Sequence, residues 1–182
     1  FHTGAPLVVI GTKEEDRFDL APKHMVTPIG FSNYFAFVCT PRHRTYHNIK
    51  KEKKFSVSYV KPGQILLSSI AAMPRCAVDD YPRDVVQHIP TVTSQDGENI
   101  YVADSYLFFE CKLHKIFDGF DDYSIITGIV EKAFVHKDYM IHSDQGQQAQ
   151  IYKNPLLVYV AQGRFAEIHE TMAYPYPKDF ER

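Results

Sequence analysis

The cysteine and glycine spacings that mark several common protein classes are missing from this sequence. Its three cysteines, Cys39, Cys76 and Cys111, form no CxxC pair, so we expect neither a disulfide framework nor a closed zinc site. We interpret them as reduced thiols of a cytoplasmic protein. No two glycines are spaced as GxG, and neither a P-loop nor a GxSxG turn occurs. A Rossmann dinucleotide site, an ATP-driven reaction and a serine nucleophile therefore have no support.

An excess of charge of one sign and long hydrophobic runs are also missing. Lys and Arg number 20 against 22 Asp and Glu, a formal net charge of −2, whereas a general nucleic-acid binder is usually more basic. No stretch approaches the roughly 18 apolar residues that span a bilayer. We therefore expect neither nucleic acid nor a membrane as partner. At about 150 residues per domain we expect a single domain over residues 1–182, and because the sequence begins with Phe1 we expect residues upstream of it.

The apolar residues that are present mostly follow a period of two, which is typical of β-strands. The clearest example alternates Phe55, Val57 and Tyr59 with polar residues. The pattern predicts strands over residues 6–12, 34–40, 54–60, 107–113, 125–134 and 155–161. Helical signals are fewer and predict helices over 45–53, 64–72 and 82–88. Many short strands with a few short helices predict a mainly β fold, a closed or nearly closed barrel with helical connections.

Two groups of histidines have spacings that a metal site can use. One is a short stretch rich in histidine and aspartate: His136, Asp138, His142 and Asp144. The other is the pair His43 and His47, four residues apart. Spacing alone seldom makes a site, so we interpret these groups as a solvated loop and a polar turn and predict no metal site. The alternative, a metal-dependent protein, would retain stoichiometric metal through gentle purification.

A basic turn precedes the first predicted helix. Arg42, His43 and Arg44 stand immediately before Thr45, the predicted N-cap. A helix start offers unpaired N–H donors and the positive end of the helix dipole, which favour an anionic group. The neighbouring cations and the threonine hydroxyl would add charge-assisted donors suited to a phosphate. From these residues alone, a phosphate site and an ordinary basic surface turn are equally supported.

The segment 23–33 mixes small, polar and apolar residues between two predicted strands. Pro22 and Pro28 fix the course of its backbone, so we expect a loop. Such a loop can place backbone donors along the edge of a flat heteroaromatic ring, with Phe31 or Tyr34 as a wall. A plain loop at the rim of the barrel is the simpler interpretation of the same residues.

The order of these segments resembles the flavin reductase-like family, the FMN-binding split barrels. The resemblance is carried by FDLAPKHM at 18–25, GFSNYFAFVCTPRHRTYHNI at 30–49 and FSVSYV at 55–60. Two later segments also fit, LFFECKLHKIFDGFDDYSIITGIVEKAFV at 107–135 and PLLVYVAQGRFAEI at 155–168. The resemblance thus extends from about Pro6 to Ile168.

This resemblance implies a homodimer with FMN in a cleft at the subunit interface. By position it implies that the flavin ring and ribityl chain lie against Lys23, His24, Thr27 and Asn33. It likewise implies that the lower ribityl chain and the phosphate lie against Cys39, Thr40, His43, Thr45 and Asn48. The implied activity is hydride transfer from NAD(P)H to the flavin and on to a small-molecule or protein acceptor, without an identified catalytic side chain.

Two departures from the family pattern bear on this activity. Asp19 stands where many members have asparagine, which places a charge near the start of the loop. The family's common GDH sequence, whose histidine is discussed as lying near flavin and nicotinamide, is replaced here by Asp121-Asp122-Tyr123. The second departure favours an alternative, an FMN-binding electron-transfer protein without NAD(P)H activity of its own.

Overall fold

Strands dominate the computed structural model, which describes residues 2–72, 88–141, 146–161 and 163–177. The described strands are β1 Gly4–Pro6, β2 Val8–Glu14, β3 Arg17–Lys23, β4 Val26–Ile29, β5 Tyr34–Cys39, β6 Lys54–Tyr59, β7 Thr91–Thr93, β8 Ile100–Val102, β9 Leu107–Phe120, β10 Tyr123–Val135, β11 Leu156–Val160 and β12 Arg164–Ile168. The α-helices are α1 Arg44–Glu52, α2 Ile65–Ala71 and α3 Gln147–Lys153, with 3-10 turns at Pro62–Gln64 and Lys137–Tyr139. The prediction of a mainly β fold with a few short helices is confirmed.

A curled antiparallel sheet of seven strands has the order β3-β2-β6-β9-β10-β5-β4. β3 and β4 are its opposite edges, yet only His24 and Met25 connect them. A connection this short spans at most about 11 Å, so the sheet must curl until its two edges nearly meet there. Within the described residues β3 and β4 share no ladder, and the barrel is therefore nearly closed and split between them.

The loop predicted over 23–33 is partly wrong, because this segment contains the edge strand β4. The strand pairs with β5 from Val26 opposite Phe37 to Ile29 opposite Tyr34. Pro28, on which the prediction of a loop rests, lies within this strand. An edge strand tolerates a residue without an N–H group because one side of the strand needs no ladder partner. The other edge strand, β3, likewise contains a proline.

Two hydrophobic cores lie on the two faces of the curled sheet. On the inner face, Phe35, Phe37 and Phe55 pack beneath α1, whose Ile49 is fully buried. On the outer face, Val9 packs in a cluster to which α2 and β11 also contribute. As a result β2 is buried on both faces, and its residues 8–10 are at most 1% exposed. Burial on both faces explains why this strand consists of consecutive apolar residues.

The alternation predicted for β6 is correct, but neither face of this strand is solvated. Phe55 and Val57 enter the inner core, while Ser56 and Ser58 are equally buried on the other face. The hairpin of β7 and β8 packs over these serines. The Ser56 hydroxyl donates to the carbonyl of Ile100, and the Ser58 hydroxyl accepts from the N–H of Val102 at 3.1 Å. Small polar side chains therefore let one backbone approach another closely.

The first predicted helix is present, but Thr45 is not its N-cap. α1 begins at Arg44, and the N-cap position is His43, whose side chain makes no capping hydrogen bond. The Thr45 side chain is buried, so it faces the fold instead of the helix end. The second predicted helix is confirmed as a 3-10 turn followed by α2. The third, over 82–88, falls outside the described residues except for His88.

The described helices are short. α1 is the longest of them with nine residues, and none has the length and hydrophobicity required to cross a membrane.

Gly128 provides a test of the packing inside the sheet. A Cβ atom there would lie 2.5 Å from Cζ of Phe55 and 3.2 Å from Cβ of Cys111, both of which are buried. We expect Gly128→Ala to lower the free energy of unfolding by about 1–3 kcal/mol, because the ring must shift. Gly63→Ala is the control, since nothing lies within 4 Å of its Cβ, and should change stability by less than about 0.5 kcal/mol. Equal effects in urea denaturation would contradict this packing.

Candidate functional site

Lys23 and Cys39, the last residues of β3 and β5, meet at the mouth of the curled sheet. Lys23 pairs with Val8 across the sheet and so shares its face, and Val8 belongs to the same core cluster as Cys39. The Lys23 amine lies near the Cys39 thiol and lowers its pKa, while the thiol donates to the Thr40 carbonyl at 3.6 Å. Burial raises the pKa of the thiol more than this contact lowers it. Cys39 is therefore a protonated thiol that contacts the amine and is no thiolate nucleophile.

A tight turn leads from Cys39 to the start of α1. The N–H of His43 donates to the carbonyl of Thr40 at 3.0 Å, and the N–H of Arg42 approaches the Thr40 hydroxyl oxygen at 3.4 Å. The N–H of Tyr46 then donates to the carbonyl of His43 at 3.1 Å. These bonds place Thr40 and His43 beside the first turn of α1, close to the Lys23 amine.

The first turn of α1 fits an anionic group. It contains no acidic residue, and the side chain at its N-cap position, His43, forms no capping hydrogen bond. The first N–H groups of a helix have no partner within the helix, and the helix dipole adds partial positive charge at the same place. With nine residues, α1 is long enough for this effect. A phosphate group matches these donors in charge and in hydrogen-bonding capacity.

The two arginines of the basic turn have different surroundings. Arg44 extends to the buried Glu14 of β2, with Nη1 3.5 Å from the carboxylate, and this pair fastens α1 to the sheet. Arg42 is exposed and pairs with Asp122 at 3.1 Å. Asp122 lies at the turn between β9 and β10, so this ion pair brings the replaced GDH segment beside the start of α1. Tyr123, which occupies the place of the histidine, is half exposed.

Two polar residues of α1 hold the helix in place. The buried Asn48 amide donates to the Thr12 hydroxyl at 3.1 Å. The Tyr46 hydroxyl donates to the Asp118 carboxylate at 3.1 Å, and the Ser124 hydroxyl donates to the same carboxylate at 2.6 Å. Among the candidate binding residues, Asn48 thus uses its amide within the fold. Its contact with β2 positions the first turn of the helix.

His24 follows Lys23 and borders an open cleft of about 430 Å³ between α2 and the β11–β12 pair. Its ring centroid lies 4.4 Å from that of Tyr159. Partial burial lowers the pKa of His24, and the neighbouring charge of Lys23 lowers it further. The imidazole is therefore neutral at pH 7, where it can either donate or accept one hydrogen bond.

Thr27 and Asn33 lie farther along the edge of the sheet. Thr27 is exposed on β4, where its hydroxyl donates to the Pro28 carbonyl at 2.9 Å. Asn33 precedes β5, and its amide donates to the Val130 carbonyl at 3.0 Å. Because six extended residues separate Asn33 from Cys39, the two lie about 20 Å apart. The structure therefore gathers Lys23, Cys39, Thr40, His43 and Thr45 at one end of this edge and leaves Asn33 at the other.

The acidic residues that fix α1 were not identified by the sequence interpretation. Glu14 and Asp118 come from β2 and β9, about 30 and 70 residues from the helix side chains that they contact. No local pattern links them to the helix. For Glu14 a signal was available, because this carboxylate occupies a position on a buried face. An isolated charge is costly to bury, so a carboxylate at such a position is expected to have a partner.

The stretch whose spacing a metal site could use, which we interpret as a solvated loop, is only partly described. His142 and Asp144 lie outside the described residues. His136 caps the 3-10 turn at Lys137–Tyr139, with Nδ1 accepting from the N–H of Asp138 at 3.3 Å. In the part of the chain that the structure covers, no three His, Cys, Asp or Glu side chains come together as a metal site.

Solved structures of other proteins share this fold. The FMN-binding protein from Thermus thermophilus with bound p-hydroxybenzaldehyde has a TM-score of 0.76 at 18% identity, covering 95% of this chain and 91% of that one. Flavoredoxin from Methanosarcina acetivorans has a TM-score of 0.77 at 13% identity, covering 94% and 88%. The NADH:FAD oxidoreductase of Streptomyces globisporus C-1027 has a TM-score of 0.70 at 15% identity, covering 91% and 87%.

No curated protein matches the sequence. The family described as flavin reductase like domain, in contrast, matches residues 1–168. This match includes every candidate binding residue and confirms the resemblance seen in the sequence. The chain therefore belongs to the flavin reductase like domain family.

Proposed function

We propose that the protein binds FMN at the mouth of the curled sheet and transfers electrons from NAD(P)H to a small-molecule or protein acceptor. Membership of the family supports a flavin-related oxidoreductase. The observation that supports a flavin phosphate, as in FMN, is the first turn of α1, which has no acidic residue and no side-chain cap and lies beside Lys23, Thr40 and His43. Bound FMN would supply hydride acceptance and electron return.

In this proposal the chain binds and orients the cofactor. The N–H groups at the start of α1, among them the backbone N–H of Thr45, and the neighbouring His43 hold the phosphate. Lys23, which lies near the Cys39 thiol, would supply positive charge toward the ring and stabilise the negative charge that develops on reduction. No side chain is assigned as an acid or base, since hydride transfer depends mainly on alignment of the two rings.

We also propose a homodimer with the cofactor at the subunit interface. Three apolar side chains on the β4 edge support it, because Met25, Ile29 and Phe31 are all exposed and Phe31 is completely so. They flank Thr27, a candidate ring contact that is also exposed. A second subunit over this edge would cover the apolar side chains and enclose the ring.

The described cysteines, Cys39 and Cys111, are buried free thiols, which supports the expected cytoplasmic location.

A second candidate is an FMN-binding electron-transfer protein without NAD(P)H activity. It is favoured by the segment that replaces GDH: Tyr123 stands in place of the histidine, and Asp122 already pairs with Arg42. Proteins of this fold include an FMN-binding protein and a flavoredoxin as well as an NADH:FAD oxidoreductase. The fold is therefore compatible with either candidate.

The phosphate assignment is tested by comparing FMN with riboflavin, which lacks the phosphate. We expect His43→Ala to weaken FMN binding about tenfold, or ~1.4 kcal/mol, and to leave riboflavin binding unchanged. Lys50→Ala, at the other end of the same helix, is the charge control and should change neither affinity. Flavin fluorescence titrations measure all three proteins. An equal loss for both ligands in His43→Ala would show that the phosphate does not lie at this helix start.

The electron donor is tested by anaerobic addition of NADH or NADPH to the FMN-loaded protein. We expect one of them to bleach the flavin absorbance, and Tyr123→His to accelerate the bleaching by adding the family's histidine. Dithionite is the control that shows the bound flavin to be reducible. If dithionite alone bleaches the wild-type protein, the electron-transfer candidate replaces the oxidoreductase.

The subunit arrangement is tested at the β4 edge. We expect the wild-type protein to sediment as a dimer and the combined substitution Ile29→Ser and Phe31→Ser to sediment as a monomer with weakened FMN binding. Leu66→Ser, which changes an apolar residue on α2 whose exposure lies between those of Ile29 and Phe31, should remain a dimer. A dimer that survives the β4 substitutions would place the interface elsewhere.

A further inference from the structure

A second cleft, with a volume of about 730 Å³, lies on the outer face of the sheet between the β7–β8 hairpin and strands β9 and β10. Its size is in the range of small-molecule sites. None of the residues proposed to hold FMN lines it. What binds there is therefore a separate question, and the answer does not depend on the flavin proposal.

Glu110 forms the polar part of the floor. This carboxylate is nine-tenths buried, accepts from the Tyr101 hydroxyl at 2.6 Å and pairs with the Lys132 amine at 2.9 Å. Burial and the neighbouring carboxylate raise the pKa of Tyr101, so its hydroxyl remains a donor at any physiological pH. A carboxylate has about four acceptor positions, and two donors leave some of them for a ligand.

The surroundings of Glu110 carry excess negative charge. Asp96 and Asp104 line the same cleft, where Lys132 is the only Lys or Arg among the lining residues that the structure describes. Hydrogen bonds from the Ser94 hydroxyl and the Glu98 N–H lower the pKa of Asp96 and keep it ionised. Three carboxylates against one amine and one imidazole, that of His136, favour a positively charged ligand.

Aromatic side chains form the apolar wall. Phe108 packs against Tyr101 with ring centroids 5.0 Å apart, and Phe134 lies opposite Phe108 across the β9–β10 ladder. Phe134 and Val92 are each about half exposed within the cleft. Aromatic faces attract cations as well as apolar groups, so this wall suits the organic part of a cationic ligand.

Ser105 supplies an independent sign that a ligand belongs here. Its side chain lines the cleft and is 2% exposed, and its hydroxyl has no hydrogen-bond partner among the residues that the structure describes. Buried hydroxyl groups in folded proteins almost always have such a partner. A ligand group that exchanges a hydrogen bond with Ser105 would remove this deficit.

We propose that this cleft binds a small organic cation, an amine with an aromatic or short aliphatic body. The ammonium group lies toward Glu110 and Asp104, and the body lies on Phe108 and Phe134. A neutral analogue of the same shape would keep the apolar contacts and lose the charge interaction. An anionic analogue would be repelled.

The test is calorimetric or NMR titration of the purified protein with 2-phenylethylamine, 2-phenylethanol and phenylacetate. We expect the amine to bind at least tenfold more tightly than the alcohol and phenylacetate not to bind. Asp104→Asn, an exposed and isosteric change, should reduce the preference for the amine over the alcohol. Phe134→Ala should weaken both of these ligands, while Phe165→Ala, an equally exposed phenylalanine on β12, should weaken neither.

Glu110→Gln should abolish most of the preference for the amine that remains in Asp104→Asn. If this buried change unfolds the protein, the surface variants Asp104→Asn and Phe134→Ala still decide the test. Equal affinities for amine and alcohol, binding of phenylacetate, or the absence of any binding at millimolar amine would each overturn the proposal. Unchanged affinities in both Phe134→Ala and Asp104→Asn would place the amine outside this cleft.

Discussion

The two edges of the seven-stranded sheet are joined by only two residues, and this short connection determines the arrangement of the whole fold. His24 and Met25 lead from β3 directly to β4, so the sheet can exist only as a curled layer whose edges approach each other. That curl brings Lys23 next to Cys39, although their strands are five positions apart in the sheet order. It also creates the inner space that Phe35, Phe37 and Phe55 fill.

The site around α1 depends on this curl and on contacts with distant strands. Glu14 of β2 and Asp118 of β9 hold the helix through Arg44 and Tyr46, while Asn48 bonds to Thr12. Glu14 and Asn48 are buried, where a charged or amide group requires a partner, whereas Asp118 is exposed. Each finds its partner across the sheet, and together these contacts fix the position of the start of α1.

The sequence was informative wherever the deciding interaction is local. Alternating apolar residues located the main strands, and the FVCTPRHRTYHNI segment located α1 to within one residue. Where a distant partner decides, prediction from the sequence was incomplete. Thr45 has the chemistry of an N-cap but is buried against the fold, and Pro28 looks like a break but lies on an edge that tolerates it. The contacts of Arg42 and Arg44 could not be derived, because their acidic partners lie 80 and 30 residues away.

The anchoring of α1 to separate strands has a thermodynamic consequence. Because three side chains of α1 are fixed by β2 and β9, the first turn of the helix keeps one geometry when no ligand is bound. Association there would cost little conformational entropy. The affinity for an anion would then depend mainly on the desolvation of that anion and on the salt concentration of the medium.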